Sequence, residues 1–250
     1  MPSAAATPTV DPPREEAELR AYLGSAYDRS LLERYQQTLE DELVEIGDEQ
    51  TLYRTSEAYL YNLTAFAMTG TKLPYLADLT RLVPPPARIL DYGCGIGSDG
   101  LALLEAGYRV AFADFDNPST RYLRWRLEQR GLEAPVHDLD RGEVPGGFDA
   151  AFAFDVIEHV DDPLGFLAEL ESRARLVAVN FLEPEPGETA LHRELPVAAL
   201  VRHAASRGLR RYRRYHGGRS HYVIYQARDA TGLARARSHA LLWAGRRTGR

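Results

Sequence analysis

From Arg88 onward the chain alternates short, near-continuous apolar runs with stretches of helical periodicity, and this alternation constrains the fold more than any other feature. Residues 88–91 read as a strand, 98–106 as a helix closed by Gly107, 108–113 as a strand and 118–130 as a helix closed by Gly131. The pattern continues with short strand 135–137, strand 148–154, helix 163–173, strand 176–181 and helix 197–206. Strands apolar along their whole length are buried on both faces, and crossovers of this length make them parallel. The expected class is α/β, a mainly parallel sheet covered on both sides. Residues 209–215 and 222–226 flank Gly217-Gly218 and predict an antiparallel hairpin at a sheet edge.

The preceding segment has a different period. Leu31, Leu32, Tyr35, Leu39, Leu43 and Ile46 recur every three or four residues, as do Tyr59, Leu60, Leu63, Phe66 and Ala67, so residues 14–80 predict successive helices. Pro84, Pro85 and Pro86 stop the pattern, because proline lacks an N–H and restricts the residue before it. Three parts follow: an N-terminal tail and helical lid over 1–86, a Rossmann-like α/β domain over 87–228, and a basic C-terminal tail over 229–250. The opening MPSAAATPTVDPPREE has no base before Arg14 and no apolar block, and reads as a loose tail rather than a secretory signal.

Composition narrows the partners. No run reaches the ~18 uninterrupted apolar residues of a membrane helix, so no membrane is expected. The single cysteine, Cys94, excludes an intrachain disulfide framework and suits the cytoplasm. The net charge of −6 hides thirteen arginines and one acid, Asp229, from Arg202 to Arg250. Arginine is nevertheless the chain's cation almost everywhere, Lys72 being the only lysine, and the remaining residues are strongly acidic. An acidic bulk repels a phosphate backbone, which argues against nucleic acid. The sequence leaves the oligomeric state open.

The chemistry centres on Ile89-Leu90-Asp91-Tyr92-Gly93-Cys94-Gly95-Ile96-Gly97, a strand that runs through a glycine turn into a helix. In an open parallel sheet ligands bind beyond the carboxyl ends of the strands, and glycine lets backbone approach them closely. Gly95-x-Gly97-x-x-Gly100 also matches a dinucleotide fingerprint, so the glycines alone are ambiguous. Asp91 separates the readings: an acid two positions before Gly93 repels a pyrophosphate and attracts a cationic amine and sulfonium. Asp114 ends the second strand, where a carboxylate accepts both ribose hydroxyls of an adenosine. Phe115 beside it offers a face to adenine, and Asp138 an acceptor for the adenine amino group, with Asp140 as an equally acidic neighbour. Asp116 reads equally well as part of a cap for the next helix.

With these residues assembled, the chain resembles the class I S-adenosylmethionine-dependent methyltransferases over about residues 88–228. The resemblance rests on ILDYGCGIG, on FADFDN, on VHDLD and on FDVIEHV after the fourth strand, the last most similar to the branch that methylates quinones and other small molecules. It implies a seven-stranded sheet whose final strand inserts antiparallel, with S-adenosyl-L-methionine as co-substrate. The family's roles carry onto Asp91, Gly93, Gly95 and Gly97 for the methionine end, Asp114 for the ribose, and Asp138 with Leu139 for the adenine. Asp155, which opens the fourth-strand block where members vary, is grouped with these cofactor residues.

His159, just past the fourth strand, is selected as general base, since imidazole exchanges protons near neutrality; its alternative is to support the loop by packing. Asp155, Glu158 and His159 together with His192 make an alternative cation site, although no metal is the leading expectation. Among the lid tyrosines Tyr22, Tyr27, Tyr53, Tyr59 and Tyr61, Tyr27 is selected as a second catalytic candidate and Tyr22 as a substrate contact, against a core-packing role. Asn180 and Phe181, at the end of the fifth strand, are expected to face the acceptor. His216, Arg219 and His221 surround the hairpin turn. The expected activity is methyl transfer to oxygen or nitrogen of a small molecule. Its rivals are cyclisation or alkyl transfer releasing methylthioadenosine, a non-catalytic S-adenosyl-binding protein, and a nicotinamide oxidoreductase.

Overall fold

The alternating runs form one sheet. The structure, a computed structural model, describes residues 7–183 and 193–245. The strands are β1 (Arg88–Tyr92), β2 (Arg109–Asp114), β3 (Val136–Asp138), β4 (Phe148–Ala153), β5 (Ala174–Leu182), β6 (Leu209–Tyr215) and β7 (Ser220–Gln226). They hydrogen-bond in the order β3-β2-β1-β4-β5-β7-β6. β2 and β3, β1 and β4, and β4 and β5 pair parallel, whereas β7 is antiparallel to both β5 and β6. The hairpin thus puts its second strand inside the sheet and leaves β6 at the edge.

The helices are α1 (Pro12–Leu23), α2 (Arg29–Glu33), α3 (Tyr35–Ile46), α4 (Glu49–Thr55), α5 (Ala58–Met68), α6 (Leu73–Leu82), α7 (Ser98–Glu105), α8 (Pro118–Arg130), α9 (Pro163–Arg173), α10 (Val197–Gly208) and α11 (Gly232–Gly245). Their ends follow local chemistry. Asp48 accepts from Thr51 N–H at the start of α4, Asp162 from Gly165 N–H at the start of α9, and Asn117 forms a reciprocal box with Thr120 at the start of α8. Asn117, not Asp116, is therefore the cap; Asp116 pairs with Arg124 at 3.0 Å.

Two compact units emerge, one from the N-terminal helices to Ala77, 84–86 and 93–144, the other from 78–83, 87–92 and 145 onward. In the first, Leu19, Leu32, Leu60, Tyr61, Ile96 and Tyr122 form a buried cluster with Tyr22, Tyr27, Leu63 and Trp125 against it. Beneath it lies a buried charge network. Arg126, fully buried, donates to Glu15, to Glu18 at 2.8 Å, to Ser98 Oγ at 2.9 Å and to the Ile96 carbonyl at 2.9 Å. Arg130 adds bonds to Glu15 and Glu18. Desolvation of Glu18 is outweighed by its two arginines, which hold its carboxyl below the usual range. This network explains a departure from the expected loose tail: residues 12–16 are the first turn of α1, because Glu15 is an internal ion-pair partner.

In the second unit the sheet interior carries Phe152, Val177, Val179, Ile224 and Tyr225, all essentially inaccessible to solvent. The segment expected as a basic tail contains α11, which packs on β6: Ser238 Oγ accepts from Leu209 N–H at 3.0 Å and Gly245 lies against the Tyr212 ring. The basic end also pairs with acids of this unit. Arg207 pairs with Glu171 and Asp229, while Arg211, Arg213 and Arg81 converge on buried Asp78. Against the cost of burial, those arginines hold Asp78 below the ordinary carboxylate range.

Candidate functional site

In the first unit the glycine turn folds back on the end of β2. Gly93 and Cys94 N–H both donate to the Ala113 carbonyl, at 2.8 and 3.3 Å, and Gly97 N–H closes the turn on Cys94 at 2.8 Å. Gly93, Gly95 and Gly97 have φ of 73°, 51° and 72°, a region in which side chains are strained. Space adds a second reason: a Cβ on Gly97 would sit 2.4 Å from Leu123 Cδ1, and one on Gly95 3.0 Å from Leu63 Cδ1. Leu63 belongs to α5, so one of the N-terminal helices touches the turn.

Asp114 is built into this turn. Gly95 N–H donates to one carboxylate oxygen at 2.7 Å and Phe115 N–H to the other at 2.7 Å. Burial pushes its carboxyl up, opposed by those two donors and by the Arg54 charge. Each carboxylate oxygen retains capacity for a further donor, so a fixed, doubly anchored acid suits a vicinal diol. Bare glycine backbone beside such an acid fits an adenosyl ligand. Leu139 N–H donates to the Asp114 carbonyl at 3.0 Å, and Asp138 accepts from Asp140 N–H at 3.0 Å and pairs with Arg141 at 3.3 Å. The structure therefore brings Gly93, Gly95, Gly97, Asp114, Phe115, Asp138 and Leu139 together around the ends of β2 and β3.

Arg54 of α4, which nothing in the local sequence pattern singles out, joins them. Its guanidinium lies 4.3 Å from the centre of the Phe115 ring and forms a two-pronged pair with Asp140, one prong at 3.1 Å. Next to it the Tyr53 carbonyl accepts from Asn117 Nδ2 at 3.2 Å. The lid tyrosines selected from the sequence are engaged differently. Tyr22 packs on Tyr122 and Trp125, with ring centres 4.8 and 5.5 Å away. Tyr27 donates its hydroxyl proton to Glu16 at 3.0 Å, and desolvation together with that acid raises its pKa.

In the second unit Asp91 lies buried near the end of β1, in register with Phe152. Asp155, at φ 55°, adopts a left-handed conformation just beyond β4. Asn180 fixes it reciprocally: Asp155 N–H donates to Asn180 Oδ1 at 2.9 Å, and Asn180 Nδ2 to Asp155 Oδ1 at 2.6 Å. Phe181, the next residue, is fully buried and projects to the opposite face, as neighbours in a strand do. A short 3-10 turn, Ile157–His159, follows, with Glu158 fully buried and its carbonyl accepting from Arg193 N–H. Among the described residues no three His, Cys, Asp or Glu side chains come together to hold a metal ion, and His192 lies outside those residues. His221 bonds Tyr212 through Nδ1 at 2.8 Å.

The comparisons with known proteins agree with this architecture. The family model described as "Methyltransferase domain" matches residues 69–235, well over half of the chain, and the chain belongs to that family. A ubiquinone biosynthesis O-methyltransferase of Xanthomonas campestris pv. campestris (strain B100) is 32% identical over 121 residues, 46% of this chain and 49% of that protein. One from Ruegeria sp. (strain TM1040) is 36% identical over 83 residues, 32% of this chain and 34% of that protein. The chain thus spans about half the length, or less, of these curated relatives. Among solved structures, magnesium protoporphyrin IX methyltransferase from Synechocystis PCC 6803 with bound SAH has a TM-score of 0.54 at 15% identity, covering 76% of this chain and 97% of that one. The mitomycin 7-O-methyltransferase gives 0.52 at 20% identity, covering 86% and 73%. These two likenesses are of fold. No helix among the described residues is long and apolar enough to cross a membrane.

Proposed function

We propose that this protein is an S-adenosylmethionine-dependent methyltransferase that acts on a small-molecule acceptor, at oxygen in preference to nitrogen. The observation that carries the reading is Asp114, held on both carboxylate oxygens by Gly95 and Phe115 N–H beside a turn of three positive-φ glycines. The preference for oxygen is supported by the relatives named as O-methyltransferases. When bound, S-adenosylmethionine supplies an electrophilic methyl group on a positively charged sulfur. The chain's part is to orient donor and acceptor and to take up one proton. In this reading Asp114 receives the ribose hydroxyls, Asp138 and Leu139 bound the adenine, and the carboxylate of Asp91 attracts the cationic methionine end. His159 removes the acceptor proton, and Asp155, locked by Asn180, shapes the loop that carries it. Residues 1–86 act as the lid, supported by Leu63 against the turn and Tyr53 and Arg54 at the ends of β2 and β3. Tyr22 and Tyr27 serve there as packing and hydrogen-bonding residues rather than in chemistry. A cytoplasmic setting completes the proposal, on the strength of the single cysteine.

Calorimetric titration with S-adenosylhomocysteine, with NADH as control, tests it. Micromolar binding that Asp114→Ala weakens at least tenfold supports the reading. Binding of NADH instead would replace it with a nicotinamide-dependent function, and release of methylthioadenosine during turnover would replace methyl transfer with cyclisation or alkyl transfer.

A further inference from the structure

Arg54 occupies a position that the glycine turn and strand-end acids do not explain. It lies 86 residues from Asp140 in sequence, yet its guanidinium touches both loops that follow β2 and β3, stacking on Phe115 in one and forking onto Asp140 in the other. Those loops each carry an acid tied to the local backbone. Phe115 N–H donates to Asp114, and Asp140 N–H donates to Asp138. Arg54 therefore spans two acid-anchored turns with one rigid, planar group. It also faces Asp114 and Asp138 electrostatically, offsetting part of the charge of three neighbouring carboxylates.

The geometry points to Arg54 as a positioning residue for the adenosyl group, a role that rests on the proposed cofactor. It holds Phe115 and the Asp138–Asp140 turn in the arrangement an adenine requires, and so ties helix α4 to occupation of that end of the site. The guanidinium packs on the half-buried Phe115 ring and so fixes the plane that this ring offers beside Asp114. A guanidinium suits the task because only a planar fork pairs with a carboxylate through two parallel bonds while lying flat on an aromatic ring. A lysine at this position supplies charge without either geometry. Arg54 and Asp140 are each about two-fifths exposed, with side-chain exposures of 41% and 44%, so the pair adds little to the folded state by itself. Its expected effect falls on ligand affinity, where pre-ordering the two loops lowers the entropic cost of binding.

The test is calorimetry with two probes, S-adenosylhomocysteine and 5′-methylthioadenosine, which share the adenosyl group and differ at the amino-acid end. Arg54→Ala is expected to weaken both about tenfold, by the same factor within error. Arg54→Lys is expected to recover less than half of that loss on a logarithmic scale. Asp140→Asn is expected to weaken both, and Arg54→Ala with Asp140→Asn together to be no weaker than Arg54→Ala alone, the signature of two residues acting as one unit. Wild-type affinity in Arg54→Ala, full recovery in Arg54→Lys, or a loss confined to S-adenosylhomocysteine would each overturn the proposal. Failure of the wild-type protein to bind either probe is a different result; it overturns the cofactor reading and this one with it.

Discussion

The ends of β2 and β3 and the ends of β4 and β5 belong to the same sheet but are fixed in different ways. At the first pair, the anchoring groups are backbone N–H groups: Gly95 and Phe115 hold Asp114, and Leu139 bonds its carbonyl. At the second, the anchor is a side chain, with Asn180 satisfying both the N–H and the carboxylate of Asp155. Backbone donors are supplied wherever the turn forms, whatever the neighbouring residue types, whereas an Asn–Asp pair depends on two specific side chains twenty-five positions apart. Asp114 is thus held by a turn, and Asp155 by a side-chain pair. That contrast matches a division between a shared cofactor and a variable acceptor.

The largest break in the comparison comes from beneath the turn. Arg126→Met leaves Glu15 and Glu18 buried with Arg130 as their remaining internal cation and removes the donor to the Ile96 carbonyl. Stranding buried charge costs about 3–5 kcal/mol, so the urea midpoint should fall sharply. Adding Glu15→Gln should restore part of it. A midpoint unchanged from wild type would show that the network lends the turn no support.

Gly97→Ala acts on the turn itself. A residue at φ 72° with its Cβ 2.4 Å from the buried Leu123 side chain combines backbone strain with overpacking, an expected loss of about 2–3 kcal/mol. S-adenosylhomocysteine affinity should fall with it, because the carbonyls and N–H groups of the turn shift together. Asn180→Ala is the matching change at the other end. It removes a reciprocal hydrogen-bonded pair for about 1–2 kcal/mol, and is expected to reduce turnover at least tenfold while S-adenosylhomocysteine affinity stays near wild type. Equal losses of affinity in the two variants would erase the distinction between a turn-built and a pair-built end.

The same distinction explains what was legible in the sequence. Asp114, the glycines and Asp138 stand at fixed offsets from strand ends, and a reading of strands finds them. Helix boundaries at Pro118, Arg130 and Pro163 follow from proline, Asn117, Asp162 and Gly131, all local signals. Tyr22 and Tyr27 lie in the N-terminal helical segment, but only the folded chain shows one stacked on Tyr122 and Trp125 and the other bonded to Glu16. Asn180 and Phe181 share a strand end and are both buried, and only the folded chain shows Asn180 bonded to Asp155. Residues 12–16 and 232–245 looked like tails because their periodicity is weak; ion pairs to Glu15 and the Ser238 bond to β6 make them part of the fold.

By itself the sequence determined the order of strands and helices, the glycine turn and the acid that follows β2, because hydrophobic periodicity, caps and positive-φ glycines act over a few neighbouring residues. The tertiary structure alone decided that Arg126 is buried between Glu15 and Glu18, that Arg54 lies on Phe115 and Asp140, and that Asn180 locks Asp155. Each of these joins charged or polar groups far apart along the chain, and such groups carry no local pattern: their pairing is set by which elements pack together, and by the cost of leaving a buried charge or donor without a partner.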